Sequence, residues 1–340
     1  MKNFTYYRPT SPDQAVALLD TQWGKTELLA GGTDLLDLQK EYVAQPEKVV
    51  SLRDLTGADT INMAVAATAA GAIHSAVTIG AMAKLADIAA HAELRKMFPS
   101  LTTAAGDVGG PQIRNMGTLG GNLCQRNRCW YFRDEGVNCL LKGGTKCFAL
   151  DGENQYHAIF TQGLRCVIVH PSTLAPALVA LGATADIQGP KGKRQLKLAE
   201  FFQAPSSGRE REHMLAPNEM VLSVSIPNKG LKNASYEVRH KQSYDWPLVQ
   251  AAVAFKQDGG KATGVQIVLG HVAPTPYIST AAARALEGKE VTEESAAAAG
   301  KAAAENAKPL SQNGYKVRLV EVAVKRALLT AAGGKKYWEA

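Results

Sequence analysis

All five cysteines of this 340-residue chain fall between positions 124 and 166: Cys124, Cys129, Cys139, Cys147 and Cys166. Thiols gathered so closely commit that stretch to a shared chemistry, and three chemistries compete for it. Disulfides are disfavoured by the odd count and by an N-terminus, Met1 to Pro9, that has no apolar h-region and no twin arginine. Structural zinc usually draws on C-x2-C knuckles, whose tight turn offers two thiolates to one tetrahedral ion, and no such pair occurs here. An iron–sulfur cluster is larger than one ion and takes ligands from separated parts of a loop. The spacing C-x9-C-x7-C-x18-C from Cys129 through Cys139 and Cys147 to Cys166 suits it. Arg126, Arg128, Arg133, Lys142 and Lys146 share the segment, as do Gly136, Gly143, Gly144 and Gly152. The basic set is read as balancing an anionic cluster, and the glycines as admitting backbone close to its sulfides.

The rest of the chain has room for a large core. Apolar residues make up 46% and charged residues 20%, which excludes a disordered chain, and the length predicts two domains at roughly 150 residues each. A net charge of +7 is a mild bias, whereas a nucleic-acid binder would concentrate it in a stripe. The most apolar stretch, Met63 to Ile73, is far short of the roughly 20 residues a membrane helix needs. The chain therefore reads as cytoplasmic, or as periplasmic if it leaves the cell with a signal-bearing partner subunit.

Elements alternate along the sequence. Ser11-Pro12 signals a helix start, and Thr33 to Leu36 reads as a capped helical turn. Strand cores are predicted at Leu28-Leu29, Val49-Val50, Val77 to Ile79, Val167 to Val169 and Val221 to Ile226. A helix is predicted at Leu174 to Leu181, a meander at Ala251 to Phe255 and Val265 to Leu269, and helices at Thr280 to Glu287, Glu293 to Ala307 and Lys316 to Ala332. The alanine runs at 65–71 and 296–304 read as close packing and helix propensity. The polar, glycine-bearing stretch Pro227 to Ser235 marks a boundary.

Two glycine turns carry the remaining chemistry. Leu28-Leu29-Ala30-Gly31-Gly32-Thr33-Asp34-Leu35 runs from a strand through Gly-Gly to a hydroxyl at a helix start, a form that offers successive backbone N–H groups to a phosphate. Gly117-Thr118-Leu119-Gly120-Gly121-Asn122 is a second loop of that kind. Taken singly, each is equally a structural turn. Neither is G-x-G-x-x-G, so a Rossmann site is not supported, while the pair suits a diphosphate held between two lobes.

These two loops, with His170-Pro171-Ser172 before Leu174 to Leu178 and Val221 to Pro227, resemble the FAD-binding medium subunit of the molybdenum hydroxylases, which include xanthine dehydrogenase and carbon monoxide dehydrogenase. The resemblance covers essentially the whole chain. Gln125 to Arg133 is similar to the branch whose medium subunit carries an extra [4Fe–4S] cluster, with 4-hydroxybenzoyl-CoA reductase and the periplasmic aldehyde oxidoreductases as members. It implies an α+β fold: a two-lobed FAD-binding domain of the vanillyl-alcohol-oxidase type at 1–227, with an iron–sulfur insert at about 123–168, and a C-terminal domain of antiparallel meander and helices at 228–340.

Carried over by position, Leu28 to Leu35 and Thr118 to Asn122 would hold the FAD diphosphate, and Val108 and Val221 would pack on the flavin or adenine. Cys129, Cys139, Cys147 and Cys166 match the aldehyde-oxidoreductase ligand pattern. The reductase branch fits less well, because its last ligand falls near Tyr156. Cys124 is then a spare buried thiol near the flavin. Thr173 stands where the family often has an aspartate that bonds the cofactor, and Glu237 or Arg239 where a lysine is common. His157 and His170 are read as structural. The resemblance further implies a heterotrimer with a molybdopterin-binding large subunit and a [2Fe–2S] small subunit, in which this chain passes electrons through FAD to an external acceptor. The rival readings are a stand-alone flavin oxidase of the same fold and a non-catalytic metal-stapled interaction subunit.

Overall fold

The computed structural model describes residues 1–68, 71–161 and 163–334. Among the described residues twelve strands form three sheets. Short apolar segments at β1 (Thr5–Tyr7), β2 (Thr26–Leu29) and β3 (Lys48–Ser51) pair in parallel in the order β1-β3-β2. The strands β4 (Ile61–Thr68), β5 (Gly71–Gly80), β6 (Thr184–Gly189), β7 (Gly192–Lys197) and β8 (Met220–Pro227) form an antiparallel sheet in the order β4-β5-β8-β6-β7. The third sheet joins β9 (Lys232–Val238), β10 (Val249–Asp258), β11 (Lys261–Gly270) and β12 (Tyr277–Ile278) in the order β12-β11-β10-β9.

Period-two burial explains how the layers stack. In the five-stranded sheet Val77, Ile79, Ala185, Ile187, Val224 and Ile226 face one core, against Leu85, Leu101, Leu119 and Leu174 from helices. Strand β10 is buried on both faces. Ala252 and Ala254 join that same core, while Ala251, Val253 and Phe255 face a second core filled by Leu286, Ala299, Val320 and Leu328. The third sheet is thus a middle layer between the first domain's helices and the C-terminal ones.

Ser11 caps the helix Pro12–Leu18 by accepting from the Gln14 amide at 3.3 Å. The helices Leu174–Ala180, Thr280–Leu286, Glu293–Ala304 and Tyr315–Ala331 lie where the apolar spacing predicts them. Three expectations fail. The alanine run at 65–71 reads as helical by propensity, but its residues up to Thr68 belong to β4 and Gly71 opens β5; residues 69–70 lie outside the described ones. Val167 to Val169 is not a strand. Its neighbours make single backbone bonds instead, Ala158 to Val167 at 2.9 Å and His170 to Ala273 at 2.9 Å, so no ladder forms. Thr118 to Asn122 is not a free loop but the start of the helix Leu119–Cys124, with the Thr118 hydroxyl accepting from the Gly121 amide at 3.1 Å. Among the described residues no helix is long and apolar enough to cross a membrane.

Candidate cofactor and metal centres

The two glycine turns meet. A Cβ on Gly31 would stand 2.1 Å from the Met116 carbonyl oxygen, so backbone presses on backbone at the point where the first turn touches the residue before Gly117. Only glycine permits that approach. Gly32 has φ +78°, and a Cβ on Gly121 would lie 3.8 Å from the Ala30 methyl. Between the turns opens a cavity of about 500 Å³.

Most of the residues singled out in the sequence line that cavity. Leu28, Ala30, Gly31, Gly32, Thr33, Asp34 and Leu35 contribute from the first turn, and Thr118, Gly120, Gly121 and Asn122 from the second, with Val108, Thr173 and Val221 on other elements. Leu29 and Leu119 do not line it; Leu119 is fully buried in the first core. The segment His170-Pro171-Ser172 braces the second turn, since the Ser172 hydroxyl donates to the Asn122 side-chain oxygen at 2.6 Å. Gln250 on β10 donates to the Thr173 carbonyl at 2.8 Å, which ties the same wall to the C-terminal sheet.

The basic residues take a different part from the one their positions predict. Asp34 does not cap the helix that follows it. Its carboxylate instead accepts from the Arg126 amide at 2.8 Å and the Arg133 guanidinium at 2.6 Å, and pairs with Arg128 at 2.8 Å. Arg126 also donates to Glu212 at 2.8 Å, beside Asn127, which donates to Glu212 through both its amide and its side chain. Burial alone would raise the Glu212 carboxyl, but Arg126 and the Asn127 bonds outweigh it and hold the group at about 2. Lys142 bonds the Asp134 carbonyl, and Lys146 lies 4.7 Å from the centre of the Phe148 ring. These charges neutralise carboxylates and brace the loop.

Two of the loop glycines, Gly144 and Gly152, likewise meet backbone and a ring. A Cβ on Gly144 would strike the Asn138 carbonyl at 1.9 Å, and one on Gly152 the Tyr131 hydroxyl at 2.4 Å. They allow the loop to fold on itself.

Among the described residues lining the cavity, several buried polar atoms have no hydrogen-bond partner, and two of them belong to guanidiniums. Arg126 Nη2 and Arg128 Nε have no hydrogen-bond partner, and both residues line the space between the turns. Unpaired buried N–H groups beside glycine-opened backbone fit an anionic group such as a diphosphate. Sequence reasoning missed Trp23, Arg211, Tyr244 and Trp246, which also line the cavity. Arg211 lies 4.7 Å from the Trp23 ring centre, and Arg128 lies 4.9 Å from that of Trp246. Within the charged run Arg209 to His213, Arg211, Glu212 and His213 are all buried.

The loop draws three thiols into one cluster and hydrogen-bonds the fourth to one of them, although among the described residues no three His, Cys, Asp or Glu side chains stand close enough together to hold a single metal ion. Cys129, Cys139 and Cys166 belong to one apolar cluster with Phe132, Leu140, Leu141 and Ile168. Cys147 and Cys166 are hydrogen-bonded to each other; this bond and the amides of Val167, Ala149 and Leu150 bring the Cys147 thiol down to about 6. The same contact, with burial, pushes Cys166 up. Burial pushes Cys129 up to about 12, against the pull of the Phe132 and Tyr131 amides and in the field of Cys147 and Cys139. All five cysteines are free thiols. Amide N–H groups aimed at a set of sulfurs in an apolar pocket are the surroundings a thiolate-held cluster needs. Cys124 packs with the first core instead and lines the cavity, its thiol pushed up to about 12 by burial.

Comparison with known proteins agrees with this fold. Residues 2–229 match the family model for the FAD binding domain in molybdopterin dehydrogenase, and residues 234–331 match that for the CO dehydrogenase flavoprotein C-terminal domain. The chain is 34% identical over 310 residues to the aldehyde oxidoreductase FAD-binding subunit PaoB of Escherichia coli (strain K12), covering 90% of this chain and 93% of that one. It is 27% identical over 334 residues to the carbon monoxide dehydrogenase medium chain of Hydrogenophaga pseudoflava, covering 96% of each. A chain of the solved carbon monoxide dehydrogenase from Hydrogenophaga pseudoflava, in the form lacking the Mo-pyranopterin moiety of the molybdenum cofactor, superposes with a TM-score of 0.73 at 28% identity over 97% of both chains. The chain belongs to the FAD-binding medium subunits of the molybdenum hydroxylase family.

Proposed function

We propose that this chain is the FAD- and [4Fe–4S]-bearing electron-transfer subunit of a molybdenum-dependent hydroxylase or aldehyde oxidoreductase. In this reading it works in a heterotrimer, receiving electrons from a [2Fe–2S] small subunit that serves a molybdopterin-binding large subunit, and delivers them to an external acceptor. What supports the finer part is the apolar cluster shared by Cys129, Cys139 and Cys166, with Cys147 hydrogen-bonded to Cys166 and amides directed at Cys129 and Cys147, in a loop tied through Asp34 to the first glycine turn. A lone metal staple would account for the thiols and leave the cavity unexplained.

The domain division proposed is 1–227 for FAD, with the iron–sulfur insert at about 123–168, and 228–340 for the C-terminal part. When bound, FAD supplies a centre that takes electrons singly and releases them in pairs. Gly31 and Gly32 would bring amides to its diphosphate, with Arg126 Nη2 and Arg128 Nε as the charged donors, while Gly120 and Gly121, whose amides bond the Ala81 carbonyl and the Thr118 hydroxyl, would keep the second turn slim beside it. Val108 and Val221 would close on its ring systems, and Thr173 would offer a neutral donor and acceptor. The four thiolates would hold the cluster, and the amides around them would offset its negative charge.

The purified full chain tests this. Flavin bands over a broad shoulder that bleaches on reduction, with about four iron atoms per chain, support the reading. Colourless protein containing zinc overturns it. Cys139→Ser is expected to lower the iron content while FAD is retained.

A further inference from the structure

Among the described residues, the His157 side chain makes a directed contact with one of the proposed ligand sulfurs. The Nε2 of His157 lies 3.2 Å from the Sγ of Cys129. The imidazole packs against aromatic rings, and the His157 backbone is hydrogen-bonded in place. Its ring meets Trp130 edge-on at 5.9 Å and Tyr131 at 6.4 Å. Its amide donates to the Asn154 carbonyl at 3.0 Å, and its carbonyl accepts from the Asn313 side chain at 3.1 Å. Asn313 is fully buried just before the helix Tyr315–Ala331, so a C-terminal element sets the position of this ring.

The proton of the ring has one favourable place. Its other nitrogen, Nδ1, is buried without a partner. A proton there would be an unsatisfied buried donor, and would leave the Nε2 lone pair facing the lone pairs of a thiolate. With the proton on Nε2, the ring donates to sulfur and both costs are removed. We infer that His157 is a positioning residue for the proposed cluster, donating an Nε2–H hydrogen bond to the Cys129 thiolate and thereby raising the cluster's reduction potential. A donor to a ligand sulfur withdraws charge from it and favours the more negative, reduced form. The inference rests on the cluster reading above.

Iron content and the midpoint potential from a spectroscopic redox titration, both on the full chain, separate the two ideas. The parent is compared with His157→Phe and His157→Leu, which remove the donor, and with His157→Gln, whose side-chain amide restores one. The expected result is that all retain iron, that Phe and Leu shift the potential lower, and that Gln returns it toward the parent value. Loss of iron from Phe and Leu alone, with Gln retaining it, equally supports a required donor. Iron retained with one potential across the series overturns the inference, as does loss of iron from all three variants, which marks the ring as packing only. A parent chain without iron overturns the cluster reading itself.

Discussion

Arg133 holds its Nη2 2.6 Å from the Oδ1 of Asp34, across 99 residues of sequence. Arg128 reaches the same carboxylate at 2.8 Å, and the Arg126 amide reaches its other oxygen at 2.8 Å. One aspartate in the first glycine turn therefore organises the start of the cysteine loop, and each of the two proposed centres is built partly on the other.

Asp34→Asn removes a charge that two guanidiniums share in a mostly buried site. Stripping one partner from a buried pair costs up to about 3–5 kcal/mol, and the partial exposure here brings that to roughly 1–3 kcal/mol. Thermal unfolding is expected to show a lower Tm, with FAD and iron contents falling together. A variant that keeps the parent Tm and both cofactors would remove Asp34 from its bridging place.

Gly31→Ala drives a methyl into the Met116 carbonyl. Overpacking against backbone costs about 1–3 kcal/mol, and here it would part the two turns. The flavin content of purified protein is expected to drop severalfold. Gly57→Ala is the control, because Gly57 has φ +70° but open space around it, so it bears backbone strain without the collision. Equal flavin loss in both would show that the close approach is not what matters.

Glu237 is buried, with neither carboxylate oxygen hydrogen-bonded; burial, and then the nearby Asp107, lift it to about 8 against the opposing pull of Arg239. The folded chain keeps this proton where the unfolded chain has released it. Its contribution to stability is therefore complete below the ordinary carboxylate pKa of about 4.3 and is lost as pH rises toward 8. Glu237→Gln should match the parent near pH 5 and exceed it in denaturant midpoint near pH 8. Lys316, brought down to about 7 by burial, titrates with the opposite slope, and it cancels in the difference between variant and parent. A difference that does not change with pH would refute the buried-acid account.

Cys124→Ser is expected to keep the full iron content, because Cys124 packs with the first core and not with the other thiols. It should cost about 1 kcal/mol through a buried hydroxyl in an apolar site. Iron analysis beside Cys166→Ser, which should lose iron, decides whether the fifth thiol is indeed the spare.

What the sequence made legible follows from how local each signal is. The cap at Ser11 and the helices at 174–180 and 315–331 rest on spacing within a few residues and were readable. Fourteen of the sixteen residues named for FAD line the cavity; the first turn signals itself locally as a strand running into Gly-Gly, whereas Val108, Thr173 and Val221 follow from the family resemblance and no local pattern. The β4 strand was hidden because alanine favours helix, and here a sheet partner decides the outcome. The arginines were misjudged for a related reason: their partners, Asp34 and Glu212, lie some 85–99 residues away in sequence. Arg211 and Trp246 belong to the cavity only through tertiary packing, which no spacing rule reports.

Because β10 contributes alternate residues to two cores, cutting the chain near residue 230 would leave Ala252, Ala254 and Val268 missing from the first and an apolar sheet face bare on the second. The two parts are separate in topology but not in cooperativity. Heating or denaturant should melt them in one transition, and a gene encoding only the first 227 residues should yield an insoluble product. Evolution could exchange such a subunit between enzymes only as a whole.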